Sequence, residues 1–129
     1  MKRHQQLQDL SREHHTALLL ALHAKRAANS GDRERIAASA QACLAAFGEE
    51  LDPHFIVEEH SLLPVLRQSG EHVLADRLEA EHRDLRALAT RLPQSEAPTL
   101  LGFAELLMAH VRFEEREMFE TLEGLLEPG

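Results

Sequence analysis

The sequence predicts an all-α protein, an antiparallel up-down-up-down four-helix bundle. Three observations carry that expectation. Ala, Leu, Glu and Arg, all strong helix formers, dominate the chain. No alternating β-branched run reads as a strand. Clusters of Gly, Pro, Asn and Ser cut the 129 residues into four pieces, each long enough for a bundle helix.

The first piece spans 4–29 and closes at Asn29-Ser30-Gly31-Asp32. Asp32 can N-cap the second, 32–67, because its carboxylate accepts the unpaired N–H groups of a first helical turn. Pro53 and Pro64 lie in that second piece. Proline lacks the N–H and clashes with the preceding turn, so a kink is expected near Gly48 to Pro53, and an end or second bend near Pro64. Ser69-Gly70 separates the second piece from the third, 71–92. Pro93 to Pro98 separates the third from the fourth, 98–126, and Glu127-Pro128-Gly129 ends the chain. Four such helices joined by short loops form a bundle, and 1–129 reads as a single domain.

Charge and cysteine content narrow the function. Net charge is −8 and no Lys/Arg cluster occurs, which argues against nucleic acid and anionic membranes as partners. No apolar run approaches the ~18 residues of a membrane span, and MKRHQQLQDL lacks the apolar core of a signal peptide. Cys43 is the only cysteine, so no internal disulfide forms. A cytoplasmic location is the expectation.

Nine histidines are many for this length, and their placement repeats. HFIVEEHSLLP begins at His54 and HVRFEEREMFE at His110. Both read H-x-x-x-E-E, and apolar residues recur at matching offsets: Phe55 with Val111, Leu62 with Met118, Leu63 with Phe119, Leu66 with Leu122. Upstream of each stands L-x-x-E-H, at Leu10 to His14 and at Leu78 to His82. Helices one and two thus resemble helices three and four in a pseudo-twofold pattern.

Helix geometry selects the inward polar groups. With His54 at zero, Glu58 falls near ~40° and Glu59 near ~140°. Leu51, Phe55, Leu62, Val65 and Leu66 centre near ~75°, so Glu58 lies close to the middle of the apolar face. Phe103, Leu107, Val111, Met118 and Leu125 frame His110 and Glu114 in the same way. On the first helix Leu7, Leu10, Ala21 and Ala28 share a face with His14; His15, turned ~100° further, is the alternative. Leu78, Leu85 and Ala89 frame His82.

Four helices therefore aim one histidine each at the core, and two add a glutamate. Bare buried carboxylates are too costly to leave unpaired. Two metal ions would satisfy all six groups, and imidazole plus carboxylate without thiolate suits iron, manganese or zinc. The competing reading is a buried polar network without metal. His4, His23, His60 and His72 read as surface or boundary residues, Cys43 as a small buried hydrophobe, and Arg33-Glu34-Arg35 as a solvated face.

The set resembles the hemerythrin-like, HHE cation-binding family. The carrying motifs are L-x-x-E-H at 10–14, H-F-x-x-E-E followed by L-L-P at 54–64, E-H-x-x-L at 81–85, and H-x-x-x-E-E-x-x-M-F at 110–119. The resemblance spans nearly the whole chain. It implies a four-helix bundle around two iron ions, oxo- or hydroxo-bridged, with His14, His54, Glu58, His82, His110 and Glu114 at the ligand positions. Two ferrous ions against two glutamates and a hydroxide leave such a site nearly neutral, and Glu59 and Glu115 could orient ligand histidines from outside.

Two departures stand out. Oxygen-carrying members of the family have a paired H-x-x-x-H on the third helix; the positions flanking His82 here are Leu78 and Arg86. The fourth helix offers Glu at +4 or +5 from His110, where the carriers have Asp at +5. One histidine fewer points away from reversible oxygen carriage. It favours binding or sensing of oxygen, nitric oxide, iron or redox state, with a small diatomic or peroxide as the ligand. The alternatives are a di-iron enzyme acting on peroxide or nitric oxide, and a metal-free interaction bundle. The absence of Tyr and Trp removes any aromatic radical relay, which weighs against strongly oxidising chemistry.

Overall fold

The computed structural model describes residues 4–126. Among them there is no strand; the chain forms four helical rods. The first is α1, Gln5–Ala28, about 36 Å long at ~1.5 Å per residue. The second is compound: α2, Arg33–Ala46, a wide π-helical turn at Phe47–Leu51, then α3, Asp52–Ser61, and α4, Leu63–Gln68. The third is α5, His72–Arg91, ending in a 3-10 turn at Leu92–Gln94. The fourth is α6, Ala97–Phe113, a second π-helical turn at Glu114–Met118, and α7, Phe119–Glu123. Glu127-Pro128-Gly129 lie outside the described residues.

The ends follow local chemistry. Asp32 caps α2 by accepting from the N–H groups of Glu34 and Arg35. Gly70, at φ +80°, closes α4. Its N–H reaches Arg67 O at 3.2 Å while the Glu71 N–H reaches Leu66 O at 2.8 Å. Those paired bonds satisfy the last carbonyls of the helix, and a left-handed residue, most cheaply Gly, makes them possible.

The bends in the second rod have separate causes. Pro53 has no N–H to offer the preceding turn, and the chain answers with a wide turn in which Asp52 N–H bonds Phe47 O, five residues back. Pro64 sits in the first turn of α4, after a break of one residue at Leu62.

The fourth rod has no such breaker, yet Phe119 N–H also bonds five residues back, to Glu114 O. This turn corrects the expected apolar face. In an uninterrupted helix Phe119 would lie about 180° from His110. One extra residue in the turn brings it back by about 100°, into the core, while Leu125 lies past the helix end at Glu123. Phe119 is fully buried and Leu125 is 37% exposed. The helix also ends at Glu123, short of the expected 126, with Leu122 as its last buried contact. In the second rod, Val65 is only partly buried.

Neighbouring rods run in opposite senses. The His4 backbone N–H at the start of α1 bonds the Glu123 carboxylate at the end of the fourth rod, at 2.9 Å. Arg67 at the end of the second rod meets Asp76 and Glu79 near the start of α5, and Arg86 near its end meets Asp52. The core divides into two apolar clusters. One holds Ala17, Ala21, Ala24, Phe47, Phe55, Leu85, Leu100, Phe103 and Leu107. The other holds Leu7, Leu10, Leu62, Leu66, Leu78, Phe113, Met118, Phe119 and Leu122. Both are continuous along α1, α5 and the fourth rod, and the residues between them are polar.

Candidate metal centre

The polar layer contains His14, His54, Glu58, His82, His110 and Glu114, all buried, and they are the buried ionisable side chains of the described residues apart from Cys43. They form two overlapping groups. His14, His54, Glu58 and Glu114 offer one donor atom each, all within 4.8 Å of one another; Glu58, His82, His110 and Glu114 do the same. Glu58 and Glu114 belong to both groups. His15 is exposed, so α1 contributes His14 alone.

Each histidine points Nε2 inward. His14 Nε2 lies 2.6 Å from Glu114, His54 Nε2 3.1 Å from Glu58, and His82 Nε2 3.0 Å from Glu58. His110 Nε2 lies 2.8 Å from Glu114 Oε2. That last pair is close but lacks hydrogen-bond geometry, and both atoms are buried without a hydrogen-bond partner. A buried ring nitrogen and carboxylate oxygen left without hydrogen-bond partners are costly in a metal-free site; a cation held by both would satisfy them. Together with a donor set of imidazole and carboxylate, this fits a metal.

Each histidine also uses Nδ1, always on a second glutamate. His14 meets Glu115 at 2.6 Å, His54 meets Glu13 at 2.6 Å, His82 meets Glu59 at 2.7 Å and His110 meets Glu81 at 2.7 Å. These carboxylates fix the tautomer and aim the Nε2 lone pair, as outer carboxylates do for metal-bound histidines. The four bonds close a ring. Glu13 on the first rod braces the second rod, Glu59 on the second braces the third, Glu81 on the third braces the fourth, and Glu115 on the fourth braces the first. Every bracing glutamate is the sequence neighbour of an inward group on its own rod. Glu59 and Glu115 were expected in supporting roles. Glu13 and Glu81 were missed, although the E of both L-x-x-E-H words marked them.

Aromatic rings pack against the imidazoles. Phe55 stacks on His82 with centroids 4.1 Å apart, and Phe119 stacks on His14 at 5.4 Å. Leu78 is buried in apolar contacts, and Arg86 turns outward to Glu59 and Asp52, so neither residue flanking His82 offers a donor.

The layer attracts positive charge. Burial works to lower the histidines, but the glutamates outweigh it: His54 is pushed up to about 11 by Glu114 and Glu58, and His110 to about 10 chiefly by Glu114. His14 and His82 are raised for the same reason. Burial and the charge of Glu114 raise the Glu58 carboxyl. Burial works to raise Glu114 as well, yet His110 and the hydrogen bonds it receives hold it well below the ordinary range. Divalent ions would replace the protons now held by the histidines.

A cavity of about 330 Å³ reaches the layer from solvent. His14, His54 and His110 line it together with Ala17, Leu20, Leu51 and Leu107 and with Glu13, Glu49 and Glu50, which are exposed at the surface. Among the described residues no helix is long and apolar enough to cross a membrane.

Residues 6–122 match the family model of the hemerythrin HHE cation binding domain. No curated protein and no protein of solved structure gives a match. The match covers most of the chain, and the chain belongs to the hemerythrin HHE cation-binding family.

Proposed function

We propose that this HHE domain holds two iron ions in its core and binds or senses a small diatomic ligand, oxygen or nitric oxide, or the iron and redox state itself. The observation that carries the reading is the sharing of Glu58 and Glu114 between two four-residue donor groups. His14 and His54 would hold one ion and His82 and His110 the other, with the two glutamates serving both. Manganese or zinc suits the same donors.

Bound iron supplies electrons and open coordination for a diatomic ligand. The chain does the rest. The outer glutamates keep each Nε2 lone pair inward. Phe55 and Phe119 hold the rings of His82 and His14 in place. Leu78 and Arg86 add no ligand, so the centre carries four histidines and two carboxylates, which leaves room at the metal. Leu20, Leu51 and Leu107 make the approach apolar, which suits an uncharged diatomic.

One observation favours the enzymatic alternative. A cavity of about 330 Å³ is far larger than a diatomic needs and lies within the range of small-molecule sites. Peroxides, including organic ones, fit it. Purified protein is expected to carry about two irons per chain, and iron removal is expected to lower its melting temperature. Protein that purifies without metal, and melts unchanged after chelation, would instead be a metal-free bundle. Steady oxygen release from added peroxide would favour the enzyme; a flat trace with a spectrum that responds to nitric oxide would favour the sensor.

A further inference from the structure

The cavity that reaches the centre changes character between its buried and its exposed lining. Apart from His14, His54 and His110, the buried lining is apolar: Ala17, Leu51, Phe55, Leu107 and Val111. The exposed lining holds all of its carboxylates, Glu13, Glu49 and Glu50. No lysine or arginine lines it. Glu13 is engaged by His54, whereas Glu49 and Glu50 pair with no cation among the described residues. Glu49, Glu50 and Leu51 are consecutive residues of the wide turn at Phe47–Leu51, so that turn supplies both free carboxylates and part of the apolar surface behind them. Wide turns of this kind recur at functional sites. His110, 1% exposed, also borders the cavity, and its Nε2 has no hydrogen-bond partner. The metal reading assigns that nitrogen to an ion but gives no use to a space of about 330 Å³, of which a diatomic fills a small part.

The lining discriminates among organic molecules by charge. An organic carboxylate or phosphate entering it meets three carboxylates and no cationic side chain to pair with. Turned head-inward, the same molecule would lay its carbon chain among those exposed carboxylates. A neutral molecule can bury its carbon in the apolar part, but leaves Glu49 and Glu50 unpaired. A protonated amine on an apolar body matches both parts. Its carbon is removed from water by the buried lining. Its ammonium stays at the hydrated rim, where it meets carboxylates without the cost of full desolvation, as the head of a lysine does at a protein surface.

We infer that the cavity is the binding site of a small organic ammonium, an apolar body of several carbons carrying a protonated amine. The body lies among Ala17, Leu51, Phe55 and Leu107, and the amine lies at Glu49 and Glu50. Its apolar end then stands against the layer of inward histidines. Occupancy covers the approach used by oxygen, nitric oxide or peroxide, so the same molecule governs what reaches the centre. The inference rests on the two-metal reading for what stands at the inner end, where bound ions take up the imidazoles and balance Glu58 and Glu114.

Zinc, which is redox-silent, allows the two to be tested separately. Full-length protein is loaded with zinc and its zinc content counted; fewer than two ions per chain overturns the two-metal reading. The loaded protein is then titrated calorimetrically at pH 7 with hexylamine, 1-hexanol and hexanoate, which share a carbon chain and differ in charge. Hexylamine is expected to bind about tenfold more tightly than hexanol, the scale of two exposed ion pairs, and hexanoate more weakly than either. Hexyltrimethylammonium, whose nitrogen has no lone pair to give zinc, is expected to bind more tightly than hexanol as well. If it does not, amine coordination to the metal explains the preference and the inference falls. In Glu49→Gln/Glu50→Gln, two exposed positions, hexylamine is expected to drop to the affinity of hexanol, with zinc content and hexanol affinity unchanged. Leu20→Trp, at a half-buried position of the lining, is expected to weaken hexylamine and hexanol alike by filling the cavity. Equal affinity for the three ligands, tighter binding of hexanoate, or an unchanged hexylamine affinity in either variant overturns the inference, even with two zincs bound.

Discussion

His54 and His110 open the same H-x-x-x-E-E word and make the same first contact, Nδ1 on a glutamate of the preceding rod at 2.6 and 2.7 Å. Beyond that contact they part. Glu81, which braces His110, is 14% exposed and tied to Arg77, four residues before it on α5. Glu13, which braces His54, is mostly exposed, and the residue four before it on α1 is Asp9, which pairs with Arg12 instead. The second clamp breaks the repeat in the same way. Arg86 stands four residues after His82; four residues after His14 stands Leu18, packed against the apolar cluster. The inner donors therefore follow from the repeated word, whereas the arginine contacts of Glu59 and Glu81 follow from two positions outside it. The two halves of the repeat differ through residues that belong to neither donor group.

The comparison can be broken most severely at its common point. Glu114 belongs to both donor groups, so Glu114→Ala is expected to abolish both zinc equivalents. It also strips the buried histidines of a carboxylate partner and is expected to cost about 3–5 kcal/mol of stability. Glu115→Ala should keep two zincs and only weaken their hold. Retention of even one tight equivalent in Glu114→Ala would show that the groups are independent. A milder break separates them: His82→Ala and His54→Ala are each expected to remove one of the two zinc equivalents, read by titration of the bound metal. The smallest effect grafts the missing clamp. Asp9→Arg on exposed α1 places a guanidinium four residues before Glu13, as Arg77 stands before Glu81, and is expected to slow zinc release to a chelator by up to about tenfold. No change in release would mean that exposure of the cavity, rather than the grip on Glu13, sets the rate.

Much of the molecule was legible in the chain. Gly, Pro and Asp punctuation placed the rods within a few residues, because caps and breakers act locally. The inward positions of His14, Glu58, His82, His110 and Glu114 followed from a 100° step and the apolar residues around them, because a helix face is a short-range property. The wide turn at Glu114–Met118 was not legible. No Pro or Gly marks it, and it is the reason Phe119 lies inside the core; Leu125 lies outside because the helix ends at Glu123. Arg86 was legible only as a residue unable to ligate. Its grip on Glu59 joins α5 to the second rod across 27 residues of chain, and such pairings depend on which rods are neighbours. Glu13 lay in plain sight inside L-x-x-E-H, but its partner, His54, lies on another rod.

The distribution of the shared carboxylates has a consequence for the chain as a polymer. The His14–His54 group takes three members from the first half of the sequence and borrows Glu114 from the second; the His82–His110 group borrows Glu58 from the first. In the proposed reading each ion is therefore a cross-link between distant segments, closing spans such as the 100 residues between His14 and Glu114. A covalent bridge across a loop of that length is worth about 4–5 kcal/mol in the chain-entropy account. With a lone buried thiol, this chain cannot make such a bridge from sulfur. Two reversible ones made of metal would do similar work and come undone when the cation supply falls.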